Sequence, residues 1–305
     1  MKYTVVLTAD YPSIARDILA GEFDVIAHPT EQARSEEEMI TLLAEADAAI
    51  TLLSDPLTRR VLASNPNLRM VANYAVGYNN IDVDAARDLH VTITNTPGVL
   101  TEATADLTIA LILAITRRLI EGDNEVRRTA ECIWEPLHLL GTGLQGKRLG
   151  IIGLGRIGQA VAQRAKAFGV EVIGVRRGES LDELLATSDI VSIHAPLSRE
   201  THHLIDAPAL AKMKPGAYLV NTSRGPLVDE AALCDALDAG HLRGAALDVY
   251  EREPEVSKRL LTMSNVVLAP HIGSATEETR TAMARIAATD VRRFLRGEVP
   301  LHVVV

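Results

Sequence analysis

Short apolar runs alternate with amphipathic stretches along most of the chain. Runs at 3–8, 23–28, 48–53, 69–75 and 91–95 are rich in Val, Ile and Ala and predict strands. Between them, 13–19, 35–46, 56–63 and 83–89 carry helical spacing. Strand and helix in strict alternation predict a parallel sheet covered on both faces. The rhythm breaks at the turn signal Thr96-Pro97-Gly98. One long helix is expected over 101–118, apolar through Leu107, Ile109, Leu111, Ile112, Leu113 and Ile115. A helix that is apolar on most sides is buried or lies between domains. A second series then begins at Lys147. Its predicted strands are 148–153, 170–175, 190–194, 218–221, 244–249 and 266–269, with helices at 156–168, 180–186, 208–213 and 230–239. A helix over 276–296 and a short apolar run at 301–305 close the chain. The predicted class is therefore α/β, with two doubly wound units.

Composition narrows the function. A chain of 305 residues suits two domains, and 47% hydrophobic with 23% charged residues predicts well-packed globular units. The net charge of −9 argues against a nucleic-acid partner. No apolar run approaches the ~18 residues of a membrane span, and the start MKYTVVLTAD enters a strand pattern without a leader. A cytoplasmic location is the resulting expectation. Cys132 and Cys234 lack metal or redox spacing and are expected as reduced, buried thiols. The adjacent His202 and His203 have no carboxylate cluster to support a metal, and none is expected.

The stretch from Arg148 to Gly158 reads as a strand, then Gly153-x-Gly155-x-x-Gly158, then a helix. The first glycine allows the tight turn, the second lets the backbone approach a pyrophosphate, and the third lets helix and strand pack closely. The helix N-terminus offers free N–H groups to phosphate. The next strand normally ends in an acidic residue for the adenine ribose, ~20 positions on. Here it ends in Arg176 and Arg177, whose guanidiniums suit a 2′-phosphate. NADP is the expected cofactor and NAD the alternative, with Glu179 close enough to serve a ribose.

Three later strands each end in a polar residue of a different kind: Arg224, Glu253 and His271. Ligands of open α/β sheets bind outside the carboxyl ends of the strands, where such residues converge. Reducing a 2-oxo acid puts charge on the carbonyl oxygen and requires a proton donor, a role suited to histidine. A carboxylate such as Glu253 would orient His271, and Arg224 would hold the substrate carboxylate and polarise the carbonyl.

With these motifs, the chain resembles the D-isomer-specific 2-hydroxyacid dehydrogenases, most of all their glyoxylate and hydroxypyruvate reductase branch. The resemblance runs from Tyr74-Ala-Val-Gly-Tyr-Asn-Asn-Ile-Asp82, through Asn95-Thr-Pro-Gly-Val-Leu-Thr-Glu-Ala-Thr-Ala-Asp106, to Pro270-His-Ile-Gly-Ser274. It implies a Rossmann cofactor domain over 99–275, inserted into a flavodoxin-like substrate domain formed by 1–98 and 276–305, with the active site in the cleft between them. It places the catalytic roles on Arg224, Glu253 and His271, and the nicotinamide carboxamide on Asp248. Substrate carboxylate falls on the N–H groups of Val76 and Gly77, with Leu53 facing the same cleft. The expected cofactor contacts are Gly153, Gly155, Arg156, Ile157, Gly158, Arg176, Arg177, Ala195, Pro196, Thr222, Ser223, Asp248, Gly273 and Thr104. Family members are usually dimers joined through the cofactor domain, and Trp134 matches an aromatic residue that can reach the partner's site. The segment from Val175 to Ser180 is short where many relatives carry an extra edge strand. The alternatives are an NAD-dependent enzyme for a larger acid such as 3-phosphoglycerate, and a dinucleotide-sensing module of the corepressor kind.

Overall fold

The structure, a computed structural model, describes residues 2–29 and 33–305. The chain divides into two compact units, Met1–Leu100 with Ala275–Val305, and Thr101–Ser274. The first unit runs β1 (Thr4–Leu7), α1 (Ile14–Leu19), β2 (Asp24–Ala27), α2 (Glu36–Leu42), β3 (Ala48–Thr51), α3 (Arg59–Ala63), β4 (Met70–Asn73), α4 (Val83–Asp88) and β5 (Thr92–Thr94). All strands pair in parallel in the order β2-β1-β3-β4-β5, the flavodoxin-like order. Every residue of β3 and β4 is buried, as expected of central parallel strands covered on both faces. The edge strand β2 instead alternates exposed and half-buried residues. Side-chain caps define several helix starts: Ser35 and Glu38 form a reciprocal capping box on α2, and Thr58 and Asp82 cap α3 and α4.

The second unit opens with α5 (Thr101–Thr116) and α6 (Leu119–Thr129). It continues through β6 (Arg148–Ile152), α7 (Arg156–Lys166), β7 (Glu171–Val175), α8 (Asp182–Thr187), β8 (Ile190–Ile193), α9 (Ala207–Lys212) and β9 (Tyr218–Asn221). A single 3-10 turn at Gly225–Leu227 precedes α10 (Glu230–Asp238), β10 (Gly244–Leu247), α11 (Lys258–Thr262) and β11 (Val266–Leu268). Its sheet is also all parallel, in the order β11-β10-β9-β8-β6-β7. The order reverses between β6 and β8, so the ligand crevice of this sheet lies at their carboxyl ends. β7 is the outermost strand, because the segment after Val175 is too short to return with another. One face of the sheet packs Ile109, Ile112, Leu149, Ile151 and Val161. The other packs Leu184, Ile193, Leu210, Leu219 and Leu233. Each such fully buried aliphatic side chain contributes about 1.5–3 kcal/mol.

After this unit, α12 (Glu277–Leu295) begins at a Thr276 cap and packs on α1, β3 and β4. The final apolar run joins the free edge of β5: Ile93 N–H donates to Val305 O at 2.8 Å, and Val304 N–H donates to Ile93 O at 2.7 Å.

Several expectations need correction. Most strands end one or two residues earlier than their apolar runs, because the last residues already turn into the loops. The expected helix over 35–46 is regular only over Glu36–Leu42. The helix α6 was not expected, since none of its residues is buried and it has no core-facing stripe to read. Cys132 is exposed rather than buried, because it follows α6 in the same uncovered segment; Cys234 is buried.

Candidate active site

The dinucleotide turn follows β6. Gly153 has φ +98°, and a Cβ there would lie 2.7 Å from the main chain of His194, so the turn requires glycine. A Cβ on Gly158 would meet Gly153 O at 2.2 Å, which is the close helix–strand approach. Gly155 is different: a Cβ there would meet nothing within 4 Å. Gly155 is also the N-cap of α7 and supplies no capping side chain. The N–H groups that open α7 at Arg156 and Ile157 have no helical acceptor. This arrangement fits a pyrophosphate, which needs both room and unpaired donors.

Around that turn, Ala195 is buried and Pro196 exposed at the end of β8. Ser223 donates its hydroxyl to Ala195 O, tying the end of β9 to that of β8. Thr222 is buried, its hydroxyl 3.0 Å from that of Thr108. Thr104, one turn earlier in α5, is 4% exposed and lies against Gly273. Arg176 and Arg177 stand exposed at the carboxyl end of β7. The turn they open is closed by Glu179, whose carboxylate accepts the Arg176 N–H at 2.6 Å. Arg177 lies 3.9 Å from Glu200.

Arg224, Glu253 and His271 follow β9, β10 and β11, which are neighbours in the sheet. The loop after β9 packs directly on the loop after β10. A Cβ on Gly225 would fall 1.8 Å from the carbonyl carbon of Tyr250, so only glycine permits the approach. Burial holds the Arg224 guanidinium below its ordinary value, and the charge of Glu253 opposes that shift. Glu253 accepts the Tyr250 N–H at 3.0 Å through one oxygen and lies 2.9 Å from His271 Nδ1 through the other. Burial pushes the Glu253 carboxyl up, but the hydrogen bond and charge of His271, the Tyr250 N–H and Arg224 outweigh it. The carboxyl is held below its ordinary value. With Nδ1 engaged, Nε2 is the ring nitrogen left for proton transfer. His271 has φ +56°, the left-handed region that non-glycine residues enter uncommonly and histidine more readily than most. Asp248 braces it: one oxygen accepts the Ile272 N–H at 2.7 Å and the other the Gly273 N–H at 2.8 Å. Asp248 is 1% exposed, and burial raises its carboxyl despite those two donors.

A second histidine is set apart by its surroundings. Burial pushes the His194 imidazole down to about 4, and Ser192 Oγ lies 2.9 Å from its Nε2. It is neutral near pH 7 and unsuited to donate a proton. The sequence reading missed a further layer under Glu253. Glu230 accepts the Glu251 N–H at 2.6 Å, Glu251 accepts the Glu230 N–H at 3.2 Å, and His203 Nε2 lies 2.9 Å from Glu251. Their recurrence as glutamates after strand ends was a visible signal, but only the fold shows that they grip each other. Among the described residues no three His, Cys, Asp or Glu side chains gather to hold a metal.

In the first unit, Leu53 is half-buried in the loop after β3, and Val76 and Gly77 are half-buried in the loop after β4. Among the described residues, the N–H groups of Val76, Gly77 and Tyr78 donate no hydrogen bond. Three successive free donors suit an anion without a charged side chain.

The family model described as "D-isomer specific 2-hydroxyacid dehydrogenase, NAD binding domain" matches residues 109–273. The chain belongs to this family. It is an NAD(P)-dependent oxidoreductase, and its cofactor is a nicotinamide dinucleotide. A glyoxylate reductase of Thermococcus litoralis is 43% identical, covering 100% of this chain and 97% of that protein. Among solved structures, the TT0316 protein of Thermus thermophilus matches with a TM-score of 0.94 at 42% identity, covering 99% of this chain and 100% of that one. An NADPH-dependent glyoxylate/hydroxypyruvate reductase of Sinorhizobium meliloti, in complex with NADP and malonate, matches with a TM-score of 0.86 at 30% identity, covering 100% and 97%. Among the described residues of this 2-hydroxyacid dehydrogenase, no helix is long and apolar enough to cross a membrane.

Proposed function

We propose that this dehydrogenase reduces small 2-oxo acids, glyoxylate and hydroxypyruvate foremost, with NADPH. The observation that carries this reading is the Arg224, Glu253 and His271 set at three neighbouring strand ends. When bound, the reduced nicotinamide supplies a hydride to the substrate carbonyl carbon. Arg224 holds the substrate and stabilises the charge developing on the carbonyl oxygen. His271, its Nδ1 held by Glu253, delivers a proton from Nε2 to that oxygen. The N–H groups of Val76 and Gly77 take the substrate carboxylate. The apolar side chains of Leu52, Leu53 and Val76 favour a small acid over a phosphorylated one, which needs more cationic partners.

On the cofactor side, the pyrophosphate rests on the turn from Gly153 to Gly158, with Arg156 and Ile157 donating N–H groups. Ala195, Pro196, Thr222, Ser223, Thr104 and Gly273 line the remainder, and Asp248 serves the nicotinamide carboxamide. Arg176 and Arg177 bind the 2′-phosphate. In support, Glu179, the nearby carboxylate that would suit an adenine ribose, already accepts the Arg176 N–H. The Sinorhizobium meliloti enzyme in complex with NADP favours the same assignment. The working form is a cytoplasmic homodimer joined through the second unit. This is supported by α6, which buries none of its residues, and by the exposure of Leu119, Ile120, Val126 and Trp134.

The test follows the consumption of NADPH and of NADH with glyoxylate, hydroxypyruvate, pyruvate and phenylpyruvate. Rapid oxidation of NADPH by the first two is expected. Replacing both Arg176 and Arg177 with Ala should raise the KM for NADPH about tenfold, as loss of a charge-assisted hydrogen bond does, and leave that for NADH nearly unchanged. A preference for NADH in the wild type would overturn the phosphate assignment, and inactivity towards every oxo acid would overturn the substrate assignment.

A further inference from the structure

The loop after β4 is held by its carbonyl groups. Thr96 N–H donates to Ala75 O at 3.0 Å. The Asn95 side-chain amide donates to Val76 O at 2.8 Å, and the Asn73 amide donates to Gly77 O at 2.9 Å. Three consecutive peptide units are thus anchored by their oxygens. Each of them is trans, the one cis bond among the described residues being Glu253–Pro254. In a trans peptide the N–H points opposite to the C=O. Holding the oxygens of Ala75, Val76 and Gly77 therefore turns the N–H groups of Val76, Gly77 and Tyr78 each away from the donor that grips its own peptide unit. Those are the three donors without acceptors.

We propose that Asn95 and Asn73 are positioning residues that orient the peptide units of this loop, so that its N–H groups form the cradle for the substrate carboxylate. The inference rests on the reading of Val76 and Gly77 as the carboxylate site, and names the residues that give that site its geometry. Both asparagines are themselves fixed. Asn73 is the last residue of β4, and its carbonyl accepts the Ala75 N–H at 2.8 Å. Asn95 follows β5, and its N–H donates to His302 O at 3.2 Å. Asn73 is fully buried, yet its side-chain oxygen is without a hydrogen-bond partner among the described residues. An amide left half-satisfied in the interior is destabilising compared with an apolar side chain of similar volume. Its hold on Gly77 O accounts for its presence where core packing alone would not.

The test uses the full-length enzyme and three variants, Asn95→Leu, Asn95→Asp and Asn73→Ser. Each is checked for folding by its thermal melt. Glyoxylate reduction is measured at saturating NADPH, with oxalate as an inhibitor competing for the carboxylate site. The expected result is a KM for glyoxylate raised at least tenfold and an inhibition constant for oxalate raised in parallel. Turnover number should stay within threefold, and the dissociation constant of NADPH within twofold. A general loss of structure would lower kcat and weaken NADPH as well. Asn95→Asp keeps the size of the side chain but exchanges the donor for a negative charge that itself repels an anionic substrate, so the neutral Asn73→Ser carries the test if Asn95→Leu does not fold. Folded Asn95 or Asn73 variants with unchanged KM and oxalate inhibition, in an enzyme that reduces glyoxylate, would overturn this inference alone. A wild-type enzyme that neither reduces glyoxylate nor responds to oxalate would overturn the underlying reading together with it.

Discussion

At the carboxyl ends of β3 and β4 the first unit presents main-chain N–H groups and apolar side chains. At the carboxyl ends of β9, β10 and β11 the second unit presents Arg224, Glu253 and His271. Both sheets are parallel and doubly wound, yet they end in different chemistry. A main-chain N–H does not titrate, so an anion site built from it is equally strong across the working pH range. Proton transfer needs the opposite, a group whose charge changes near neutrality and a carboxylate to orient it. The first unit thus offers fixed main-chain donors, and the second offers ionisable side chains in contact, Glu253 with His271.

That division can be broken most sharply at His271. Replacing it with Ala should lower kcat for glyoxylate by about 10²–10⁴-fold, the range of a lost general acid, and leave NADPH binding intact in a fluorescence titration. This would contrast with the KM-dominated effect expected at Asn95. Unchanged turnover would remove His271 from the chemistry. A smaller effect concerns the uncovered helix α6. Val126→Glu places a charge on the exposed apolar face, and sedimentation should then shift from twice 32.9 kDa towards the single-chain mass. A wild type that already sediments as one chain would refute the dimer. The smallest effect is a matter of pH. The Glu253 carboxyl is held below its ordinary value, so the stability it contributes is present above the unfolded carboxylate pKa of about 4.3 and is lost as pH falls through the folded value. The melting-temperature gap between wild type and Glu253→Gln should be widest near neutrality and close on acidification. A gap that stays constant down to the acid limit would show that the carboxylate gains nothing from His271.

Much of the fold was legible because burial leaves a period in the sequence. The strands of both sheets, the long apolar α5 and the glycine turn at Gly153 could each be read from residues within a few positions of one another. The helix α6 escaped because it faces no core, and the short α11 because five residues carry no period. Arg224, Glu253 and His271 were legible as candidates from residue type and from position after predicted strands. Their supporting contacts were not. Gly225 looks like any glycine after an arginine until Tyr250 is seen against it. Asp248 is legible as an acidic residue after a strand, but the grip of its two oxygens on the Ile272 and Gly273 N–H groups is not.

The sequence by itself determined the α/β class, the dinucleotide turn and the residue types available for reaction, since these depend on local spacing and on side-chain chemistry. Only the tertiary structure decided which peptide planes are held, by which side chains, and in which direction their N–H groups point. Asn95 reaches Val76 across 19 positions of chain, and Glu253 reaches His271 across 18. A hydrogen bond depends on distance and angle in space, and those are set by the pairing of β4 with β5 and of β10 with β11 rather than by any spacing along the chain.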